Sequence, residues 1–182
     1  CVVIPNCVNT ERLKLSDEAI AGAEELKKQN AGKIMLFAVG RHVPYKGMEY
    51  LVRASKLLDE RFKVYIGGKG PLTEELKKLA AGDEKVIFTG RLSDEELLSH
   101  MLACDIFCFP SITKNEAFGI ALAEGMYFEK PAVTFTIPGS GVNYVNLNGL
   151  TGLEAENRNY EKYAEAIKLL ADNEEMRAVY GK

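Results

Sequence analysis

Apolar residues fall into short runs separated by amphipathic stretches, and the alternation repeats along most of the chain. Residues 33–39 carry Ile34-Met35-Leu36-Phe37-Ala38-Val39, a continuous apolar run stopped by Gly40. A short run bounded by a glycine predicts a strand buried on both faces, as in a parallel sheet. Residues 62–66, 85–89, 105–109, 131–136 and 150–153 repeat the signal. Between them, 46–60 places Met48, Leu51, Val52, Ser55 and Leu58 on one face at helical spacing. Residues 72–81 turn Leu72, Leu76 and Leu79 inward, with Pro71 at the helix start, where a missing N–H costs nothing. Ser93 and Glu96 predict a capping box opening a helix to about Ala103. Further helices are predicted over 16–29, 118–128, 160–171 and from 173 onward. In the 160–171 helix, Tyr163, Ile167 and Leu170 face inward.

Repeated β–α units predict an α/β fold: a doubly wound parallel sheet of about six strands in a Rossmann-like three-layer sandwich. A (β/α)8 barrel needs eight units and roughly 250 residues, more than the 182 present. No linker divides the chain, so residues 1–182 are read as one domain.

Composition adds exclusions. Hydrophobic residues make up 47% and charged residues 27%, which rules out a disordered chain. A net charge of −3 argues against nucleic-acid binding through bulk positive charge. No apolar run approaches the roughly 18 residues of a membrane span. Neither a signal peptide nor an initiator Met opens the chain, and both ends look cut, so a fragment of a longer protein is expected. Cys1, Cys7, Cys104 and Cys108 lack the tight pairing of a zinc site and read as reduced, mostly buried thiols of a cytosolic protein. No metal site is expected.

Ligands of such folds bind beyond the carboxyl ends of the strands. Four loops there carry candidate chemistry. Gly40 to Gly47 holds Arg41 and Lys46, a planar fork and a mobile point charge suited to a diphosphate, although solvated loop charges explain the pair equally. It is not a Walker A loop. Gly67-Gly68-Lys69-Gly70-Pro71 allows close backbone approach, or simply a tight turn. Glu116-Ala117-Phe118-Gly119-Ile120 leads into a helix carrying Glu124 in a stretch too apolar for an ordinary exposed face. Glu116 lies beside the free N–H groups of Phe118, Gly119 and Ile120, and Glu124 is suited to gripping ribose hydroxyls. Amides of the Pro138-Gly139-Ser140-Gly141-Val142-Asn143 loop complete a sugar or phosphate pocket in one reading and an ordinary turn in the other. The two histidines say little: His42 sits in the first of these loops, within reach of a ligand, and His100 reads as a surface or half-buried residue.

In this order the pieces resemble the C-terminal lobe of family 4 retaining glycosyltransferases of the GT-B fold. Val3-Ile4-Pro5-Asn6-Cys7-Val8-Asn9 resembles that family's V-I-P-N-G-V-D segment, with Cys7 in place of Gly. Gly40-Arg41 to Lys46-Gly47 matches G-R-x4-K-G, and Gly68 to Leu72 matches G-x-G-P-L. Val86 to Gly90 resembles V-x-F-x-G, Asp105 to Ser111 resembles D-x4-P-S, and Glu116 to Glu124 fits E-x7-E. Ala164 to Leu170 resembles the late helix A-x-A-I-x-L-L.

The resemblance implies roles. Arg41 and Lys46 would neutralise the diphosphate of a UDP-, GDP- or ADP-sugar in place of a metal ion, with no cofactor. Glu116 would hold the donor sugar and Glu124 the ribose. Phe118, Gly119 and Ile120 would offer N–H groups, Gly68 would line the donor site, and Leu92 would contact the base. Arg41, Lys46 and Glu116 are the candidate catalytic residues. The implied enzyme transfers a hexose with retention in polysaccharide biosynthesis, in the cytoplasm or at the inner face of a membrane, with peripheral membrane association of the full-length protein. Its partners are the nucleotide sugar and the N-terminal acceptor lobe. That lobe and a terminal crossover helix are not in this segment, so the isolated chain is expected to be inactive. The alternatives are a GT-B-fold nucleotide-sugar epimerase and a non-catalytic α/β interaction module.

Overall fold

The structure is a computed structural model that describes residues 7–182. Its sheet contains β1 (Ile34–Val39), β2 (Phe62–Gly67), β3 (Val86–Gly90), β4 (Ile106–Phe109), β5 (Ala132–Phe135) and β6 (Gly152–Ala155). The order is β3-β2-β1-β4-β5-β6, and every pairing is parallel. The chain therefore runs outward from β1 in one direction and then restarts at β4 in the other. The crevice between the carboxyl ends of β1 and β4 is the topological switch point, where such folds bind ligands.

The helices are α1 (Asp17–Gln29), α2 (Met48–Ser55), α3 (Thr73–Leu79), α4 (Asp94–Ala103), α5 (Ile120–Tyr127), α6 (Val142–Val145), α7 (Tyr160–Asp172) and α8 (Glu174–Gly181). Right-handed crossovers put α2 and α3 on one face and α4 and α5 on the other. Consistently, α2 packs on α3 and α7, while α1 packs on α4. Leu36, Phe37, Ile66, Phe107 and Val133 are sealed from solvent between the layers. The inward positions of α7 are as the spacing predicts: Tyr163, Ile167 and Leu170 are fully buried. The Tyr163 hydroxyl donates to the Val133 carbonyl at 2.7 Å, so this buried polar tip has a partner.

The expected capping box at Ser93 and Glu96 is present in both directions. Several boundaries differ from expectation. α2 covers Met48–Ser55 rather than 46–60, because Gly47 takes a left-handed conformation (φ 62°) after a 3-10 turn over Pro44–Lys46. Pro71 stands two residues before α3, outside it. α5 starts at Ile120 behind left-handed Gly119 rather than at 118. The short α6 has no counterpart among the predicted elements.

His100 is buried, not a surface residue: its ring packs against Phe37 and Tyr65, and Nδ1 lies 2.7 Å from the Glu96 carbonyl. Cys104 and Cys108 are buried thiols, and burial pushes Cys104 up to about 12. Cys7 is exposed. Cys1 and the first four residues of the Val3–Asn9 motif lie outside the described residues. Among the described residues no helix is long and apolar enough to cross a membrane.

Candidate functional site

The loop leaving β1 is locked onto its two neighbours. A Cβ on Gly68 (φ 104°) would sit 2.0 Å from the Gly40 carbonyl oxygen. Glycine is therefore required there by the contact between the β1 and β2 loops. On the other side, a Cβ on Gly47 would sit 2.0 Å from the Pro110 carbonyl oxygen, and the Ile112 N–H donates to the Tyr45 carbonyl at 2.9 Å. These contacts tie the β1 loop to the loop after β4, across the switch point.

Lys46 and Glu116 meet in that crevice as an ion pair, with side chains only 15% and 12% exposed. The Ser111 hydroxyl donates to the same Glu116 carboxylate oxygen at 3.0 Å. The Lys46 ammonium also lies 5.1 Å from the Phe109 ring centroid and 5.6 Å from that of Tyr45, within cation–π reach. The lysine is thus held by one carboxylate and two aromatic faces. Arg41, in the same loop, is exposed, and its side chain makes no hydrogen bond or ion pair among the described residues. One cation is stored and the other is open to solvent.

The loop from Glu116 to Gly119 is braced by the loop after β5. The Ser140 hydroxyl donates to the Glu116 carbonyl, and the Gly141 N–H donates to the Ala117 carbonyl at 2.9 Å. Asn143 fixes the brace in turn: it accepts from the Ile137 N–H at 2.6 Å and donates to the Phe135 carbonyl at 3.0 Å. The N–H groups of Phe118, Gly119 and Ile120 donate to no acceptor among the described residues. The Gly141 amide expected to line a pocket is spent on Ala117.

Glu124 sits about one turn into α5 and does not join the Lys46–Glu116 pair. It is half-buried in a small cleft with Arg12, Leu13, Asp94, Leu97 and Leu98. Burial pushes its carboxyl above the usual range; Arg12 opposes that shift and Asp94 adds to it. Leu92 turns its side chain into the fold, so that a Cβ on Gly67 would lie 3.2 Å from Leu92 Cδ1. The Leu92 side chain therefore packs against β2 instead of standing free for a base.

His42 does not face the crevice. It is buried, its Nδ1 lies 2.9 Å from Thr73 Oγ1, and its Nε2 makes no geometric hydrogen bond among the described residues. Burial lowers its pKa, and the Gly67 carbonyl only partly offsets this. A groove of about 520 Å³ opens between α2 and α3, but Arg41, Lys46, Glu116 and Glu124 do not line it. Among the described residues no group of three or more His, Cys, Asp or Glu is arranged to hold a metal ion. Sequence spacing missed Ser111 and the bracing role of Ser140; only their place in loops at strand ends hinted at either.

The family model described as glycosyl transferases group 1 matches residues 23–182. The chain belongs to this family. Among curated relatives, O-antigen chain mannosyltransferase C of Escherichia coli is 33% identical over 156 residues, covering 85% of this chain and 41% of that protein. The chain thus spans well under half the length of that relative. Among solved structures, Anabaena HepE, crystallised with UDP-glucose, superposes with a TM-score of 0.82 at 20% identity, over 97% of this chain and 49% of HepE. The C-terminal domain of a group 1 protein, LpcC of Francisella tularensis, superposes with a TM-score of 0.78 at 19% identity, over 97% of this chain and 93% of that domain. The chain has the fold of the C-terminal lobe of a GT-B glycosyltransferase.

Proposed function

We propose that this chain is the donor-binding lobe of a retaining glycosyltransferase that transfers a hexose from a nucleotide sugar to a glycan, lipid-linked or small acceptor in polysaccharide biosynthesis. The observation that carries the reading is the Lys46–Glu116 pair at the switch-point crevice, with Arg41 open beside it. A diphosphate entering there meets the Arg41 fork and draws the Lys46 ammonium off its carboxylate. Glu116, released, accepts from hydroxyls of the sugar. The unused N–H groups of Phe118, Gly119 and Ile120 take phosphate or sugar oxygens, and Glu124 accepts from the ribose. The sugar transfer named for the Escherichia coli relative and the UDP-glucose held by HepE support this class of donor.

Negative charge grows on the diphosphate as the glycosidic bond breaks. Fixed cations aimed at that charge lower the barrier because they are worth more in the transition state than in the ground state. Retention follows if the acceptor hydroxyl attacks on the face the diphosphate leaves. Its proton then passes to a leaving-phosphate oxygen, so no protein nucleophile is needed. The acceptor comes from a facing lobe, at the cytoplasmic surface of a membrane. Calorimetric titration of the chain with UDP-glucose, GDP-mannose and ADP-glucose tests the donor grip, and binding of one or more is expected. The anomeric configuration of the product made by the full-length protein tests retention; an inverted product removes it.

A further inference from the structure

The donor site proposed above depends on a loop whose direction is set from outside it. The carbonyls of Glu116 and Ala117 both point to the loop after β5, one toward the Ser140 hydroxyl and the other toward the Gly141 N–H. In a trans peptide the carbonyl and the next N–H point in opposite directions. Holding these two carbonyls therefore turns the N–H groups of Ala117 and Phe118 the other way, and neither donates to an acceptor among the described residues. The Ser140 hydroxyl also accepts from the Val142 N–H at 3.2 Å, so it is used both as donor and as acceptor.

We propose that Ser140 is a positioning residue for the donor sugar: through the Glu116 carbonyl it fixes the loop that aims the Glu116 carboxylate and the N–H groups that follow. It touches no donor atom itself. Resting on the donor-binding reading, the inference places sugar selectivity partly in a loop that was expected to form the pocket wall. Gly141 belongs to the same device. A Cβ there would fall 2.3 Å from the Ala117 carbonyl oxygen, against backbone that cannot rotate away as a side chain would.

The test is a titration of the chain and three variants, Ser140→Ala, Ser140→Thr and Gly141→Ala, with UDP-glucose, GDP-mannose and ADP-glucose and with the matching nucleoside monophosphates. Thermal melts run alongside verify that each variant is folded. In Ser140→Ala, affinity for the nucleotide sugar should fall about tenfold, the scale of one or two lost hydrogen bonds. Monophosphate affinity should change less than about twofold, because base and ribose are held elsewhere. Ser140→Thr keeps the hydroxyl and should restore binding. Gly141→Ala should lose nucleotide-sugar affinity as Ser140→Ala does. Equal losses for both ligands in Ser140→Ala, or no rescue by threonine, would overturn the positioning role while leaving donor binding intact. If the parent chain binds none of the three nucleotide sugars, the donor-binding reading falls and this inference falls with it.

Discussion

Lys46 and Glu116 lie 70 residues apart in the chain and form one mostly buried ion pair across the switch point of the sheet. In the proposed donor site the pair would store the cation for a diphosphate beside the carboxylate for a sugar. Each ligand group competes with the pair itself. Replacing Glu116 by glutamine keeps the volume and frees the ammonium. Glu116→Gln should bind a free nucleoside diphosphate about three- to tenfold more tightly, since a charge-assisted bond no longer has to be exchanged. The same variant should lose any preference for the nucleotide sugar over that diphosphate. Calorimetry with UDP and UDP-glucose, and with GDP and GDP-mannose, reads both; unchanged diphosphate affinity would show that the pair does not gate the site.

If Glu124 grips the ribose as proposed, it trades stability for binding. Burial raises its carboxyl above the usual range, so folding penalises the charged form relative to the unfolded chain. Glu124→Gln should raise Tm by about 1–3 °C, as removal of a strained functional group commonly does. It should also weaken nucleotide binding by ~1.5–3 kcal/mol, the scale of hydrogen bonds to a charged group. A variant that is neither more stable nor weaker in binding would take Glu124 out of the ribose site.

Much of the fold was legible because β1, β2, β4 and β5 are largely buried on both faces and so read as nearly continuous apolar runs, interrupted only by Lys63 in β2 and Thr134 in β5. The Ser93–Glu96 box was legible because capping is a local bond between near neighbours. α2 was read too long because Leu58 continues the apolar spacing and is buried, although the helix ends at Ser55. Burial there follows from the turn packing on the core, not from helix. α6 was missed because four residues, Val142-Asn143-Tyr144-Val145, are too few to show a period. At the site, Arg41, Lys46, Glu116 and Glu124 stood out as charges near strand ends. Their pairing did not, because nothing local links residue 46 to residue 116. The burial of His42 against Thr73 and Phe88 was also not legible, because its place in a ligand-side loop carries no information on packing.

Gly47 joins the two halves of the crevice. Alanine there would carry a left-handed φ of 62° and a Cβ 2.0 Å from a backbone oxygen. The strain and the forced separation of the loops should cost about 2–4 kcal/mol. Gly47→Ala should lower Tm by roughly 5–10 °C. A melt within a degree of the parent would show that the β1 and β4 loops are not held together as described.

Acid should weaken the fold before its carboxylates titrate. Burial lowers both His42 and His100 below the ordinary histidine value of 6.5. As pH falls through that value the unfolded chain takes up protons that the folded chain refuses. Stability is therefore full above about pH 6.5 and declines below it. Melts between pH 8 and pH 5 should show a plateau and then a fall, and His42→Gln should reduce the slope. A Tm that stays flat to pH 5 would mean that both imidazoles are protonated in the fold as easily as outside it.

In the proposed donor site, Arg41 and Lys46 together hold the diphosphate of a nucleotide sugar. The direct measurement is the ligand-induced Tm shift of the chain and of the Arg41→Ala/Lys46→Ala double variant with UDP-glucose, GDP-mannose and ADP-glucose. At a ligand concentration about 100 times Kd the stabilisation is ~2.7 kcal/mol, a shift of several degrees. That shift is expected with one or more of the three for the parent chain and none for the double variant. No shift with any of them, or an equal shift in the double variant, would contradict it.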